Sequence, residues 1–367
     1  MATTRIFYQV LGLAVGPSPA TGYQFVTGFG AAQTGANSGN NLIQQLQRVQ
    51  SITDGFTLTR TNINTMGQLS LLSREIVTAP QVTLGGSYYV SDLANERVLG
   101  LYVSGNQAAL TSILNKTQAE KNYFIAIAPQ GQDLIGWTGQ SQVIQITNGF
   151  LASWSTEGSV GNIPTTSFSV QGYNYATSTG SKNQILQAID PTAGSAITGI
   201  NFSLPTFSTG IASVSALRPI DTTLSISNSA LGLNASDVKV QSYSISFDLN
   251  LQPLQQLGQR FPYSREIQFP VTLSASVTAY FGDVVTGSLV NVLCNDTPYD
   301  LTVSLNDPCA TGAPAVSYIL KGMKVDSQSF GSQDIGSVAG TVTLNYTTTI
   351  GGPNDLQNNL FLSGRNI

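Results

Sequence analysis

Few residues of this chain have the chemistry for a reaction. Histidine is absent from its 367 residues, which removes the commonest general base and the commonest metal ligand. The two cysteines, Cys294 and Cys309, have no further ligands clustered near them, so they do not spell a zinc site. They read as two free, partly buried thiols, with a disulfide between them as the alternative. Gly28-Phe29-Gly30-Ala31-Ala32-Gln33 begins like a dinucleotide fingerprint but lacks its third glycine and a βαβ setting. No Ser, Lys or Cys has an activating base nearby in sequence. Asp92 and Glu96 are a conceivable carboxylate pair for glycan hydrolysis, a chemistry that depends on a separation the sequence does not fix. The expectation is a protein that is no enzyme and holds no metal or cofactor.

The chemistry that remains is association. Charged residues make up 9% of the chain, against about 25% in ordinary soluble proteins. So sparse a charge suits a surface largely covered by further copies of the same chain. The net charge of −4 offers no phosphate-gripping surface. The scarce charges include a dipeptide that occurs twice, Arg74-Glu75 and Arg265-Glu266. Neighbours in a strand point to opposite faces, so the two members of one dipeptide do not pair with each other. They are candidates for bridges to the next domain or the next ring; the plain alternative is a solvated pair at a strand end.

Those dipeptides belong to a longer repeat. Val49-Gln50-Ser51 recurs as Val240-Gln241-Ser242 and Ser73-Arg74-Glu75-Ile76 as Ser264-Arg265-Glu266-Ile267. Aligned without a gap, residues 49–92 and 240–283 agree at 13 of 44 positions. The chain is therefore read as a tandem duplication. The boundaries expected are a first domain over 1–176 with an N-terminal arm and loop, connecting strands over 177–237 and a second domain over 238–367.

Both copies alternate with the period of a strand. Over Glu266–Phe281, Ile267, Phe269, Val271, Leu273, Ala275, Val277, Ala279 and Phe281 share one face, which predicts one long strand bent or bulged at Pro270. Tyr243–Leu251 predicts another, and the phase flip between Val240 and Tyr243 predicts a β-bulge. Further strands are expected at Tyr123–Ile127, Val143–Thr147, Thr166–Tyr175, Leu301–Leu305, Ser317–Leu320 and Gly340–Ile350. Asn41–Gln47 reads as a short helix and Gln184–Ile189 as a helical turn. The apolar stretch Ile6–Val15 is read as a strand rather than a signal peptide, and no membrane span is expected. Thr61–Ser73 and Gln252–Ser264 are longer than a tight turn needs. Met66, Gly67, Leu254, Gly258 and Arg260 in these connections are candidates for contacts between copies of the chain; the plain alternative is two mobile surface loops. The polar Ser-, Thr- and Gln-rich strand faces are candidates for an inner, lining face of an assembly; the plain alternative is a solvent-facing sheet.

The chain resembles the major tail tube proteins of tailed bacteriophages. The residues that carry the resemblance are Gly16-Pro17-Ser18-Pro19-Ala20-Thr21-Gly22-Tyr23, Arg48-Val49-Gln50-Ser51, and Thr59-Arg60-Thr61-Asn62-Ile63-Asn64 with Gly67-Gln68-Leu69. They continue with Val240-Gln241-Ser242-Tyr243, then Leu257-Gly258-Gln259-Arg260-Phe261 through Ser264-Arg265-Glu266. Asp326-Ser327-Gln328-Ser329-Phe330 and Ile350-Gly351-Gly352-Pro353 complete them. The resemblance implies an all-β fold with minor helices: two tandem tube-like β-sandwich or barrel domains that lend strands to a large ring-shaped β-barrel. It implies rings of three chains with pseudo-sixfold symmetry, stacked into a virion tail tube that is assembled in the host bacterial cytoplasm. Double-stranded DNA would pass through without specific binding. The partners implied are further copies of the chain, tape measure, terminator and baseplate proteins, and a sheath where one exists. The alternatives are a surface-displayed carbohydrate-binding or adhesin-like β-protein and a non-polymerising tail terminator or connector.

Overall fold

The computed structural model describes residues 11–17, 26–27, 31–32, 43–128, 131–135, 140–181, 185–190, 195–205, 207, 217–226, 239–259, 261–280, 297–306, 314–331 and 341–364. It is an all-β molecule with two short helices among these residues. In chain order the strands begin β1 Leu11–Pro17, β2 Val26–Thr27, β3 Ala31–Ala32, β4 Gln44–Gln45, β5 Val49–Thr57, β6 Arg60–Ile63, β7 Ser73–Ile76 and β8 Gln81–Tyr89. Helices α1 (Ala94–Leu99) and α2 (Thr111–Leu114) follow, then β9 Glu120–Ile127, β10 Gln140–Ser159, β11 Thr165–Gly172 and β12 Asn174–Ser181. After β13 Ile185–Asp190 and β14 Ser195–Ser203 come β15 Thr222–Ile226, β16 Lys239–Asp248, β17 Leu251–Leu254, β18 Ser264–Ile267 and β19 Val271–Tyr280. The last four are β20 Tyr299–Leu305, β21 Val316–Gly331, β22 Thr341–Ile350 and β23 Leu360–Gly364.

The strand pairing itself is duplicated. β1 pairs β9, β9 pairs β10, β10 pairs β12 and β11, β11 pairs β8, and β8 pairs β5. In the same order, β15 pairs β20, β20 pairs β21, β21 pairs β23 and β22, β22 pairs β19, and β19 pairs β16. Even the irregularities repeat. The bulge at Val49/Ser51 returns at Val240/Ser242, that at Leu151/Ser153 at Val325/Ser327, and that at Ile146/Gly149 at Leu320/Met323. Bulges bend a strand and fix its register, so the two units share one backbone plan where the sequences have drifted apart. β15, which opens the second unit, falls inside the stretch 177–237.

The units join through one further ladder, in which β16 pairs the far half of β10 from Ser153↔Asp248 to Ser159↔Ser242. The main path of the resulting sheet is β15-β20-β21-β22-β19-β16-β10-β11-β8-β5. One face is apolar at alternate positions, as in β19, where Val271, Leu273, Ala275, Val277 and Ala279 are buried. A single core cluster runs from Leu13 to Leu362 beneath both units. Trp154, Phe247 and Tyr318 meet in it across the junction. α1 packs Val98 and Leu99 into this core and ends at Gly100, whose φ of 102° is a left-handed stop. Among the described residues no barrel closes within the chain.

Several elements differ from the sequence reading. The strand foreseen over Glu266–Phe281 is two strands, β18 and β19, separated where the Phe269-Pro270 peptide is cis. Proline lacks the N–H a continuous ladder would need. Gln44–Gln45, read as part of a helix, form β4 against β1. Ile185–Asp190, read in part as a helical turn, is β13, paired with β14. For β4, pairing with a strand distant in sequence overrides weak local propensity; β13 instead closes a local hairpin with β14, its apolar Ile185, Leu186, Ala188 and Ile189 imitating a helical spacing. The long connections are themselves hairpin arms, β6–β7 and β17–β18. Cys294, Cys309, Trp137 and residues 1–10 lie outside the described residues.

Candidate assembly edges and channel face

Two strand edges, two arms and one polar sheet face are the candidate functional surfaces of this chain. β5 pairs only with β8 in the sheet, so its far edge is unpaired among the described residues. The half of β21 from Lys324 to Gly331 pairs only with β22. These halves are the duplicates of the two strands that meet at the internal junction, β16 and the far half of β10. The molecule thus contains one completed joint, and the duplicates of its two strands are open edges among the described residues.

Burial follows that logic. At the joint, Phe247 and Leu249 are 3% and 0% exposed. Their duplicates on the open edge, Phe56 and Leu58, are 55% and 38% exposed. Phe56 touches Tyr175, their centroids 5.6 Å apart. Exposed apolar residues along an unpaired strand edge are the hazard that native proteins normally blunt.

Of the foreseen site residues, Arg265 and Glu266 cross the joint. The Arg265 guanidinium donates through Nη1 to Gln171 Oε1 at 2.5 Å and through Nη2 to the Gly172 carbonyl at 3.1 Å, and it lies over the Tyr173 ring at 5.2 Å. Burial lowers its pKa from the ordinary arginine value. Burial likewise pushes the Tyr173 hydroxyl up to about 12, against the pull of Arg265. Glu266 Oε2 accepts from Lys116 Nζ at 2.6 Å and Oε1 accepts from Ser264 Oγ at 2.7 Å. The Lys116 bond, with that from Ser264, holds the Glu266 carboxyl below the usual carboxylate range. Gln171, Gly172, Tyr173 and Lys116 all belong to the first unit, so these contacts lie within one chain. Arg74 and Glu75, the duplicates, are exposed.

The arms end in matched turns. Gly67 and Gly258 have φ of 88° and 87°, a conformation that favours glycine. Gln68 N donates to Thr65 O and Gln259 N to Gln256 O, the same turn twice. Met66 and Leu257 stand at the tips, fully exposed. Leu254 is half-buried at the end of the β17–β18 ladder next to the turn, its carbonyl accepting from Tyr263 N at 2.9 Å. Arg260 lies outside the described residues.

The polar sheet face carries an unforeseen pattern. Ser51 stands beside Ser87, Ser87 beside Ser167, then Ser155, Ser246, Ser274 and Thr347 in turn, one hydroxyl per strand across both units. Ser51 and Ser87 bond at 2.6 Å, and so do Ser153 and Ser169 in the neighbouring row. A row through Glu157, Ser244, Ser276, Asn345 and Ser327 flanks it on one side and one through Ser153, Asp248 and Thr272 on the other. The signal was present in the sequence as alternating serines, but alignment of those serines depends on register, which the sequence alone did not supply.

Asp92 and Glu96 have structural settings. Asp92 Oδ1 accepts from Ala94 N at 3.3 Å at the start of α1. Glu96 is fully buried, accepts from the Tyr88 hydroxyl at 2.9 Å and has its pKa raised to about 8 by desolvation. Among the described residues no group of three or more His, Cys, Asp or Glu gathers as a metal set, and no helix is long and apolar enough to cross a membrane.

No family model matches the chain, and no curated protein matches it. Among solved structures it is similar to a chain in the six-fold symmetrised cryo-EM structure of the anti-feeding prophage baseplate. The identity is 15%, the match covers 35% of this chain and 91% of that one, and the TM-score is 0.24. A likeness that shallow carries neither identity nor function to this chain.

Proposed function

We propose that this protein is the ring-forming structural subunit of a bacteriophage tail tube, built from three chains per ring and stacked through the β6–β7 and β17–β18 arms. The observation that supports it above all is the internal joint. One chain already contains two like units paired edge to edge, and its two open edges are the duplicates of the strands in that joint. A heterologous contact of this kind generates a ring when its rotation closes.

The stagger of the sheet agrees with closure. The serine row starts at Ser51 in β5 and reaches Ser246 in β16, the duplicate of Gly55, four residues further along. Each unit gives four strands to this wall and shifts the register by four residues. At about 3.3 Å per residue and about 4.8 Å between strands, that stagger tilts the strands by about 35°, within the range of closed barrels. Six units in three chains would make a wall about 45 Å across at the backbone, wide enough for a DNA double helix.

In this reading the serine face lines the channel, because the apolar face is already covered by α1, α2 and the outer strands. The three rows carry Glu157 and Asp248 and no arginine; the central row ends at Lys324. A lining that offers few cations makes few attachments to DNA phosphates. The chain is then a virion component that needs no catalytic residue, metal or cofactor, and meets the remaining tail proteins at the ends of the tube. The deciding experiment is electron microscopy of the purified protein with rotational averaging of end-on views. Hollow rings or tubes with six similar lobes from three chains are expected; solid particles or monomers under all assembly conditions would refute the reading. Rings that never stack would favour a terminator or connector.

A further inference from the structure

The completed joint inside the chain can be transposed, residue by residue, onto the two open edges. We infer that β5 of one chain pairs antiparallel with β21 of a second copy in the register Thr57↔Ser327, Phe56↔Gln328 and Gly55↔Ser329, and that Arg74 of the first forms an ion pair with Asp326 of the second. The inference rests on the self-assembly proposed above, and adds to it the register and the charge contact.

The transposition uses only repeated pairings. Ser153 follows the bulge in β10 as Ser327 follows the bulge in β21, and each faces its neighbour across it, Ser169 or Asn345. Asp248 and Thr57 are each the last residue of their strand in the ungapped repeat. Ser153↔Asp248 in the internal joint therefore becomes Ser327↔Thr57 between chains. Leu249 N donates to Ala152 O at 2.8 Å beside that pair. Its counterpart is a bond from Leu58 N to Asp326 O, which supplies a partner for each of two edge groups.

The side chains transpose with a change of chemistry. Arg265 docks on Gln171 in the internal joint. Gln171 stands opposite Phe150, one residue short of the bulge partner pair Leu151↔Val170, and Thr347 stands in the same way beside Val325↔Tyr346. Arg74, the duplicate of Arg265, would thus meet Thr347. There a carboxylate is waiting: Thr347 donates its hydroxyl to Asp326 Oδ2 at 2.7 Å. Asp326 replaces Ala152 of the first unit, and both Arg74 and Asp326 are exposed in the single chain. At this arginine the joint within the chain is made with a neutral amide, Gln171, and the joint between chains with a carboxylate. That difference favours closure between chains over competing pairings of the two similar edges, since a charge without its partner is penalised on burial.

Two experiments test the inference, both in a Cys294→Ser/Cys309→Ser background. Ser153↔Asp248 lies between the hydrogen-bonded pairs, where side chains approach most closely, so Thr57→Cys with Ser327→Cys should form interchain disulfides on mild oxidation. Gly55→Cys with Ser327→Cys, two residues out of register, should not. Cross-linked dimers and trimers from the first variant alone are the expected result. Cross-linking of the second pair instead, or of neither while micrographs still show tubes, would overturn the register and leave the tube reading standing. Absence of rings and tubes from the background protein itself would overturn both. For the ion pair, Arg74→Glu and Asp326→Arg should each raise the concentration needed for assembly by about tenfold or more, and the double exchange should recover most of the loss. Equal defects in the single and double variants would overturn the pairing of these two residues.

Discussion

Phe56 and Phe247 occupy the same place in two units, 191 residues apart, yet one is exposed and the other stacks on Trp154. The rings of Trp154 and Phe247 are 5.5 Å apart and inclined by 18°. Phe56 meets no indole among the described residues. Identical residues on one backbone plan are separated only by whether a neighbouring strand is present. Phe247→Ala should therefore destabilise the chain by about 3–5 kcal/mol in urea denaturation. Phe56→Ala should cost less than about 1 kcal/mol in the unassembled chain and lower the yield of sedimentable assemblies.

The two arginines should separate in the same way. Arg265→Ala removes the donor to Gln171 and to the Gly172 carbonyl inside a buried joint, for an expected loss of about 1–3 kcal/mol. Arg74→Ala, on the open surface, should lie within about 0.5 kcal/mol of the parent. Equal losses in chemical denaturation would show that the internal joint contributes nothing through Arg265.

Glu96 gives a pH dependence with a defined sign. Desolvation raises its pKa from 4.5 to about 8. Between those values the unfolded chain has released the proton while the folded chain keeps it, so stability falls as pH rises through that window. Glu96→Gln should flatten this part of the stability–pH curve and raise the thermal midpoint at pH 8 relative to pH 5. Burial lowers Lys121 to about 7, so its contribution has the opposite slope above pH 7, and Lys121→Met should remove it. Thermal denaturation across pH 5 to 9 reads both.

The arm tips should govern stacking. Met66→Asp and Leu257→Asp place a carboxylate on fully exposed positions, so folding should be unchanged within about 0.5 kcal/mol. Rings are expected to form and fail to elongate, seen as short assemblies in electron micrographs. Full-length tubes from the double variant would remove the arms from the stacking interface.

The repeat at Val49-Gln50-Ser51 and Val240-Gln241-Ser242 was legible in the sequence because it is written in residue identity. The alternation from Tyr243 to Phe247 was legible because a strand with one buried face has period two, but the strand expected to run on to Leu251 ends at Asp248, and Leu251 opens β17 after Asn250 turns to a φ of 43°. The bulge before Tyr243 showed as a slip in that phase, and the structure has it between Val240 and Ser242. The all-β class implied by the resemblance agrees with such segments, and the structure has it. The helix α1 was missed, because six residues hold too few periods to announce themselves. Gln44–Gln45 were misread because their partner lies far away in the chain, and Ile185–Asp190 because its apolar residues fall at a helical spacing although it forms a hairpin with β14.

Which strand stands beside which belongs to the tertiary structure. Nothing local to Ser153 or Asp248 announces that they face each other, and nothing local to Phe56 announces that its edge is open. The sequence determined the units, their strands and their poverty in reactive groups. Only the fold decided that one joint is complete within the chain and that its duplicate is left open, because strand pairing depends on partners distant in sequence and on bulges that set the register.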